Sequence, residues 1–304
     1  MMDKEKDVVK LYATPKLRRP RLVAAWSGMG AVAILTVNYL RQELGAQDLG
    51  EIDPHHFFSP SQVVIKDRLL QSPEFPEGKF YFCQTGAAHD LVFFVGSDQP
   101  SRGYDLALLI LETVKGFGVE QIYTTAAFPT LIHHSQEPGV WGTATHRKLV
   151  TEMETCGVQI MDHGTIGGLN GLLLAVAKER GLRGLCLLGE IPLYATQMIN
   201  PKASRAVLTV LTRMLDVEID LAKLTLWAED LAPQMDRLYD LLPEHVKKAI
   251  EHSEGAPPSP APSAAEARPD LVADDEFFDQ IERFLDQHWR RKGGEEDEDE
   301  NQLA

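Results

Sequence analysis

The stretch from Met161 to Leu215 constrains the fold of this chain more than any other. Four glycines (Gly164, Gly167, Gly168 and Gly171) crowd a loop that opens into an apolar helical run, Leu172 to Ala177. After Arg180 and Gly181 comes a wholly apolar segment, Leu185 to Leu188, the pattern of a strand buried on both faces. It leads into Gly189-Glu190-Ile191-Pro192, read as an acidic loop. Lys202 to Leu215 then puts Ala203, Ala206, Val207, Val210, Leu211 and Met214 on one helical face. Loop, helix, buried strand and acidic loop make a βαβ-type unit of a three-layer α/β/α sandwich. In such sheets ligands and partners meet the loops at the carboxyl ends of the strands. Gly167, Gly168, Asn170, Gly171, Glu190 and Tyr194 are therefore candidate ligand or partner positions, together with Gly28 and Gly30 in an earlier turn.

The same grammar opens the chain. Arg21 to Trp26 predicts a buried strand, Ser27 to Gly30 a turn, and Ala31 to Leu44 a helix stopped by Gly45. Leu22 to Leu40 carries no charge over 19 residues, long enough to cross a bilayer. Gly28 and Gly30 in its middle, and Ser27, Thr36 and Asn38, favour strand, turn and buried helix, so no membrane partner is expected. Further strands are expected near Gly50–Asp53, Gln62–Lys66, Lys79–Gln84, Leu91–Val95, Glu120–Thr125 and Val140–Ala144. Lys79–Gln84 and Leu91–Val95 read as a hairpin closed by Thr85–Asp90, and Tyr104–Val114 and Arg147–Thr155 as helices.

Leu221, Leu224, Ala228, Leu231, Met235, Leu238 and Leu242 recur as a heptad seam crossed by Pro233. It serves either packing on the protein's own body or an oligomer contact. The expected organisation is a frayed N-terminus (1–17) and a core domain (18–250) that includes a helical segment, 219–250. A Pro/Ala/Ser linker (251–273), an amphipathic helix (274–292) and an acidic disordered tail (293–304) follow. That helix lines up Phe277, Phe278, Ile281, Phe284 and Leu285 as a face for a partner or for the body itself.

Net charge is −15, but residues 250–304 hold 16 acidic and 5 basic side chains, so the acidity belongs to the tail. No basic stripe runs through the body, and nucleic acid is not an expected partner. Cys83, Cys156 and Cys186 are odd in number and widely spaced, as reduced thiols of a cytoplasmic protein would be.

Chemistry-bearing motifs are incomplete. Gly28-x-Gly30-x-x-Ala33 sits where a dinucleotide fingerprint would, with Glu51 at the distance of a ribose-binding acid. Ser27 lacks the first glycine of a nucleophile elbow, since Ala25 stands there. The pairs His55-His56 and His133-His134 lack ligand spacing, and adjacent rings diverge in regular structure. The loop Gly164 to Gly171 could hold an anion on helix-terminal amides, but it contains no Lys or Arg. Glu190 is expected to be half-buried, capping backbone amides or meeting a partner. No catalytic residue, metal or cofactor is assigned.

Residues from about Arg21 to Leu226 resemble the proteasome assembly chaperone 2 family, found in bacteria, archaea and eukaryotes. The resemblance is carried by Arg21 to Ala33 (R-L-V-A-A-W-S-G-M-G-A-V-A), Val140 to Thr145 (V-W-G-T-A-T) and His163 to Leu174 (H-G-T-I-G-G-L-N-G-L-L-L). Above all it rests on Leu187 to Ala195 (L-L-G-E-I-P-L-Y-A) and the helix leading into Val217 to Leu221. Phe277 to Leu285 (F-F-D-Q-I-E-R-F-L) is similar to the terminal helix of bacterial members. The resemblance implies a mixed, largely parallel sheet in an α/β/α sandwich akin to the nucleoside phosphorylase core. It also implies self-assembly or pairing, and chaperone work without a catalytic centre. Members that dock on the proteasome do so through a hydrophobic–tyrosine–any tail. This chain ends Asn301-Gln302-Leu303-Ala304, so that docking is not expected of it. The reading is a non-catalytic, homo-oligomeric protein-interaction module of unspecified client. The rival is an enzyme or nucleotide sensor with a ligand at the glycine loops.

Overall fold

The structure, a computed structural model, describes residues 8–59, 63–66 and 68–253. The helix expected at 274–292, with Phe277, Phe278, Ile281, Phe284 and Leu285, lies outside the described residues, as does the tail. A mixed sheet forms the middle layer. In chain order its strands are β1 (Val9–Leu11), β2 (Arg21–Trp26), β3 (Gln47–Ile52), then β6 (Gly78–Cys83) and β7 (Leu91–Gly96). β8 (Gln121–Thr130), β9 (Val140–Ala144), β10 (Gln159–Ile160) and β11 (Arg183–Pro192) follow. β4 (Ile65–Lys66) and β5 (Leu69–Leu70) form a separate small hairpin. The order across the main sheet is β1-β3-β6-β7-β2-β8-β11-β9-β10. The central block β7-β2-β8-β11 is parallel, and antiparallel pairs extend it on both sides.

Parallel strands here are covered twice. Leu22, Ala24 and Trp26 of β2 pack against α2 (Gly103–Gly116) and α4 (Gly168–Glu179). Val23 and Ala25 face the opposite layer, α1 (Val32–Glu43) and α5 (Pro201–Leu215). Both faces need apolar side chains, which is why Arg21–Trp26 reads as a continuous apolar run without alternation. Each fully buried Leu or Phe contributes about 1.5–3 kcal/mol. α3 (Arg147–Thr155), α6 (Ala222–Asp240) and α7 (Glu244–Ser253) complete the helices of the described residues.

Several expectations are revised. The span Leu22–Leu40, by contrast, is the expected strand, turn and helix, and among the described residues no helix is long and apolar enough to cross a membrane. The N-terminal segment expected to fray supplies β1, whose Val9 pairs with Ile52 at the sheet edge. The strand expected over Gln62–Lys66 shortens, among the described residues, to Ile65–Lys66. β8 and β11 each run to ten residues, because they pair in parallel from Arg183↔Gln121 to Pro192↔Thr130. Gly189, Glu190 and Pro192 therefore belong to the strand, where the sequence suggested a loop. Pro233 lies inside α6 without ending it. The heptad seam faces the protein's own body: Leu224 and Met235 are buried, and Leu231 packs on the layer of α1 and α5.

Candidate functional site

The carboxyl ends of β2, β8 and β11 lie side by side, and most of the candidate residues gather along this edge. On one side stands the start of α4. Gly168 takes φ +68°, open to glycine at little cost. At Gly171 a Cβ would come 2.5 Å from the Ile166 carbonyl oxygen, so only glycine fits. Asn170 is buried, and its Oδ1 accepts the Trp26 amide at 3.2 Å. Gln99, from the loop after β7, accepts the Leu169 amide at 2.8 Å and donates to the Ser27 carbonyl at 2.9 Å. The Leu169 amide, which an anion at this helix terminus would seek, is thus already engaged. Gln99 carries no sequence signal; a lone glutamine in Ser-Asp-Gln-Pro looks like any loop residue.

On the other side, the turn after β2 is bonded to the approach to α5. Gly30, at φ +61°, donates its amide to Thr196 O at 2.8 Å and accepts that of Asn200 at 2.8 Å. Asn200 Oδ1 in turn caps α5 by accepting the Ala203 amide at 2.9 Å. The dinucleotide pattern does not assemble: β6 and β7 stand between β2 and β3, which carries Glu51. Glu51 instead pairs with Lys10 at 3.3 Å on the sheet edge.

Between them sits Glu190, 5% exposed near the end of β11. Its Oε1 accepts the Thr130 hydroxyl at 2.7 Å and its Oε2 the Gly139 amide at 2.9 Å. The carboxylate caps a backbone amide, as expected, and fixes the loop 131–139 between β8 and β9. That loop holds His134, whose Nδ1 lies 2.7 Å from Tyr194 Oη and whose Nε2 lies 2.9 Å from Asp236 Oδ1 on α6. The rings of His133 and His134 sit 4.2 Å apart and do not diverge, because they lie in an irregular turn rather than a strand or helix. Tyr239 of α6 packs edge-on against His133 at 4.5 Å. Burial pushes the Tyr194 hydroxyl up to about 12. Lys202 donates to the Ser135 carbonyl at 2.8 Å, and Glu137 binds Arg205 at 2.6 Å. A small open cleft of about 40 Å³ lies here, lined by His134, Glu190, Asn200, Lys202, Leu231 and Met235 among others.

Gln99, Asn170, Asn200, Glu190 and His134 each bond to neighbouring segments along this edge, which fixes their positions. Gly30, Asn170 and Glu190 are buried and shape the surface, Gly171 and Tyr194 are half-buried, and Gly28, Gly167 and Gly168 stand exposed, as does Leu193. Among the described residues no group of three or more His, Cys, Asp or Glu side chains converges as metal ligands would.

Residues 22–239 match the family model described as the PAC2 family. An uncharacterised protein of Methanocaldococcus jannaschii is 26% identical over 247 residues, 80% of this chain and 90% of its own length. The crystal structure of Pyrococcus furiosus PbaB, described as an archaeal proteasome activator, superposes with a TM-score of 0.66 at 27% identity. That likeness covers 76% of this chain and 97% of PbaB. Pyrococcus furiosus PbaA, described as an archaeal homolog of proteasome-assembly chaperone, gives a TM-score of 0.60 at 24% identity over 82% of this chain and 98% of its own.

Proposed function

The chain belongs to the PAC2 family, and from that membership we propose that it is a non-catalytic, homo-oligomeric protein-interaction module of the assembly-chaperone type. The observation that carries this reading is the match of residues 22–239 to the PAC2 family model, and the likeness to PbaB along nearly the whole of that protein supports it. The site agrees with it. A buried carboxylate and a buried histidine ring, each satisfied from within, hold a surface in shape for another chain. Exposed Leu193 and the glycine turns at Gly28 and Gly167–Gly168 form the outward part of that surface. Three free cysteines fit work in the reducing cytoplasm.

Size-exclusion chromatography with light scattering tests the reading. The full chain alone is expected to run as a multiple of its 33.8 kDa mass, and to form a heavier complex with a true client. Monomeric behaviour at every concentration removes the oligomer. A thermal-shift screen with nucleosides, phosphate and dinucleotides addresses the enzyme or sensor rival. Saturable stabilisation of about 2.7 kcal/mol at 100 times the dissociation constant, lost in Gly168→Val, would replace this reading.

A further inference from the structure

The main sheet ends on a strand whose outer edge is free. β1 has β3 as its one neighbour, and β3 leads into the hairpin β4–β5 and on to β6. The Tyr12 amide bonds to the Leu49 carbonyl at 2.9 Å and the Asp53 amide to the Val8 carbonyl at 2.8 Å. Alternation along an antiparallel pair then turns the N–H and C=O of Val9 and Leu11 away from β3, where among the described residues no strand meets them. Leu11 is 42% and Tyr12 49% exposed, and neighbours in a strand point to opposite faces. This edge is therefore apolar above and below. Lys10, the kind of residue that guards an edge, is engaged by Glu51 at 3.3 Å.

The hairpin has matching properties. Ile65, Leu69 and Leu70 are each between 68% and 71% exposed, and every strand residue of the ribbon is open to water. Ile65 pairs with Leu70 and Lys66 with Leu69, so Ile65 and Leu70 share one face and Leu69 lies on the other. The Gln71 amide bonds to the Val64 carbonyl at 2.9 Å, and the same alternation turns the backbone groups of Ile65 and Leu70 outward. A two-stranded ribbon this short is marginal alone, and aliphatic surface gathered on one element marks a contact site.

The ribbon does not pair with β1 of its own chain, which lies within two strand spacings, about 10 Å, of the strands that carry it. A second copy supplies both parts at once. Exchange about a twofold axis gives each free edge a ribbon and each ribbon an edge, and so closes without leaving either part over. We propose that the hairpin β4–β5 of one copy adds to the free edge of β1 in a second copy, with its two aliphatic faces over Leu11 and Tyr12. This rests on the homo-oligomer proposed above and names the elements that make it. It stands apart from the carboxyl-edge surface.

The test uses the full chain with photoreactive benzoyl-phenylalanine at position 69. Cross-linked protein is expected at twice the chain mass on a denaturing gel, with position 69 joined to residues 8–12. Links to 8–12 at single-chain mass would place the ribbon on its own body, and links between two hairpins would pair the ribbons instead. Either outcome overturns the proposal, as does the absence of any link to 8–12. Leu11→Pro supplies a second measurement, because it removes an amide that its own sheet does not use. Light scattering should then show the dissociation constant of the oligomer raised about tenfold or more, as expected for lost interchain hydrogen bonds. A wild-type oligomer that Leu11→Pro leaves intact removes this contact alone, whereas a wild type that is monomeric at every concentration removes the oligomer reading with it.

Discussion

Glu190 on β11 accepts the amide of Gly139 at 2.9 Å, across 51 residues of chain. With the Thr130 hydroxyl on its other oxygen, this contact decides where the loop 131–139 lies, and the loop positions His134 against Tyr194 and Asp236. Glu190→Ala orphans a backbone amide beside a new void. Hydrogen bonds to a charged group are worth about 1.5–3 kcal/mol each, so a loss of about 3 kcal/mol in urea denaturation is expected. Glu190→Gln keeps one acceptor oxygen and should lose about half as much. Equal midpoints for wild type and Glu190→Ala would show that the carboxylate does not hold the loop.

Asn170→Ala tests the other side of the edge. The Trp26 amide it leaves behind is buried, and an orphaned buried donor costs about 1–3 kcal/mol. Gly171→Ala meets the Ile166 carbonyl and should also destabilise, by about 1–3 kcal/mol through overpacking. Neutral behaviour of both variants in thermal unfolding would mean that the start of α4 is not packed as described.

Alkaline pH should weaken the fold. Burial raises the Tyr123 hydroxyl from 10.0 to about 12, despite Arg21 nearby, and Tyr194 shifts in the same direction. A raised acid keeps its proton in the folded state after the unfolded chain has released it. The stability it contributes is therefore whole below pH 10 and is lost as pH climbs toward 12. At pH 11 the buried Tyr123 alone accounts for a decrease of about 1 kcal/mol relative to pH 8. Urea midpoints at the two pH values measure it, and Tyr123→Phe should flatten the decline. A wild-type midpoint unchanged at pH 11 would exclude the effect.

The cysteines should separate by burial. Cys186 is fully enclosed, with its thiol pushed up to about 12, and burial also raises that of Cys83. Half-buried Cys156 should be the thiol that an aromatic disulfide reagent titrates in the native protein. The other two should respond only in denaturant. Rapid native reaction at Cys186 would contradict the packing of β11.

The elements most legible in the sequence were those whose cause is local or periodic. Arg21–Trp26 and Arg147–Thr155 match the expected strand and helix because an apolar run and a helical period determine them. The ends of β8 and β11 were not legible, since Gly189, Glu190 and Pro192 look like breakers. What keeps them in register is pairing with Ala127, Phe128 and Thr130, together with the remote donors that satisfy Glu190. The fingerprint at Gly28 and Gly30 misled toward Glu51 because linear distance says nothing of strand order. Gln99 and the contact of His133 with His134 were hidden for the same reason: loop conformation and neighbours far along the chain create them. The close approach of Gly171 to the Ile166 carbonyl was not legible either, since no pattern marks which glycine of the loop meets backbone from another turn.

The most direct measurement of the claim that this surface recognises other chains is native mass spectrometry of the protein isolated from the cells that make it, beside Leu193→Glu. Wild type should emerge in a stoichiometric complex with other polypeptides, and the variant, equally folded, should lose them. Recovery of the chain without polypeptide partners, carrying a stoichiometric small metabolite instead, would contradict the claim.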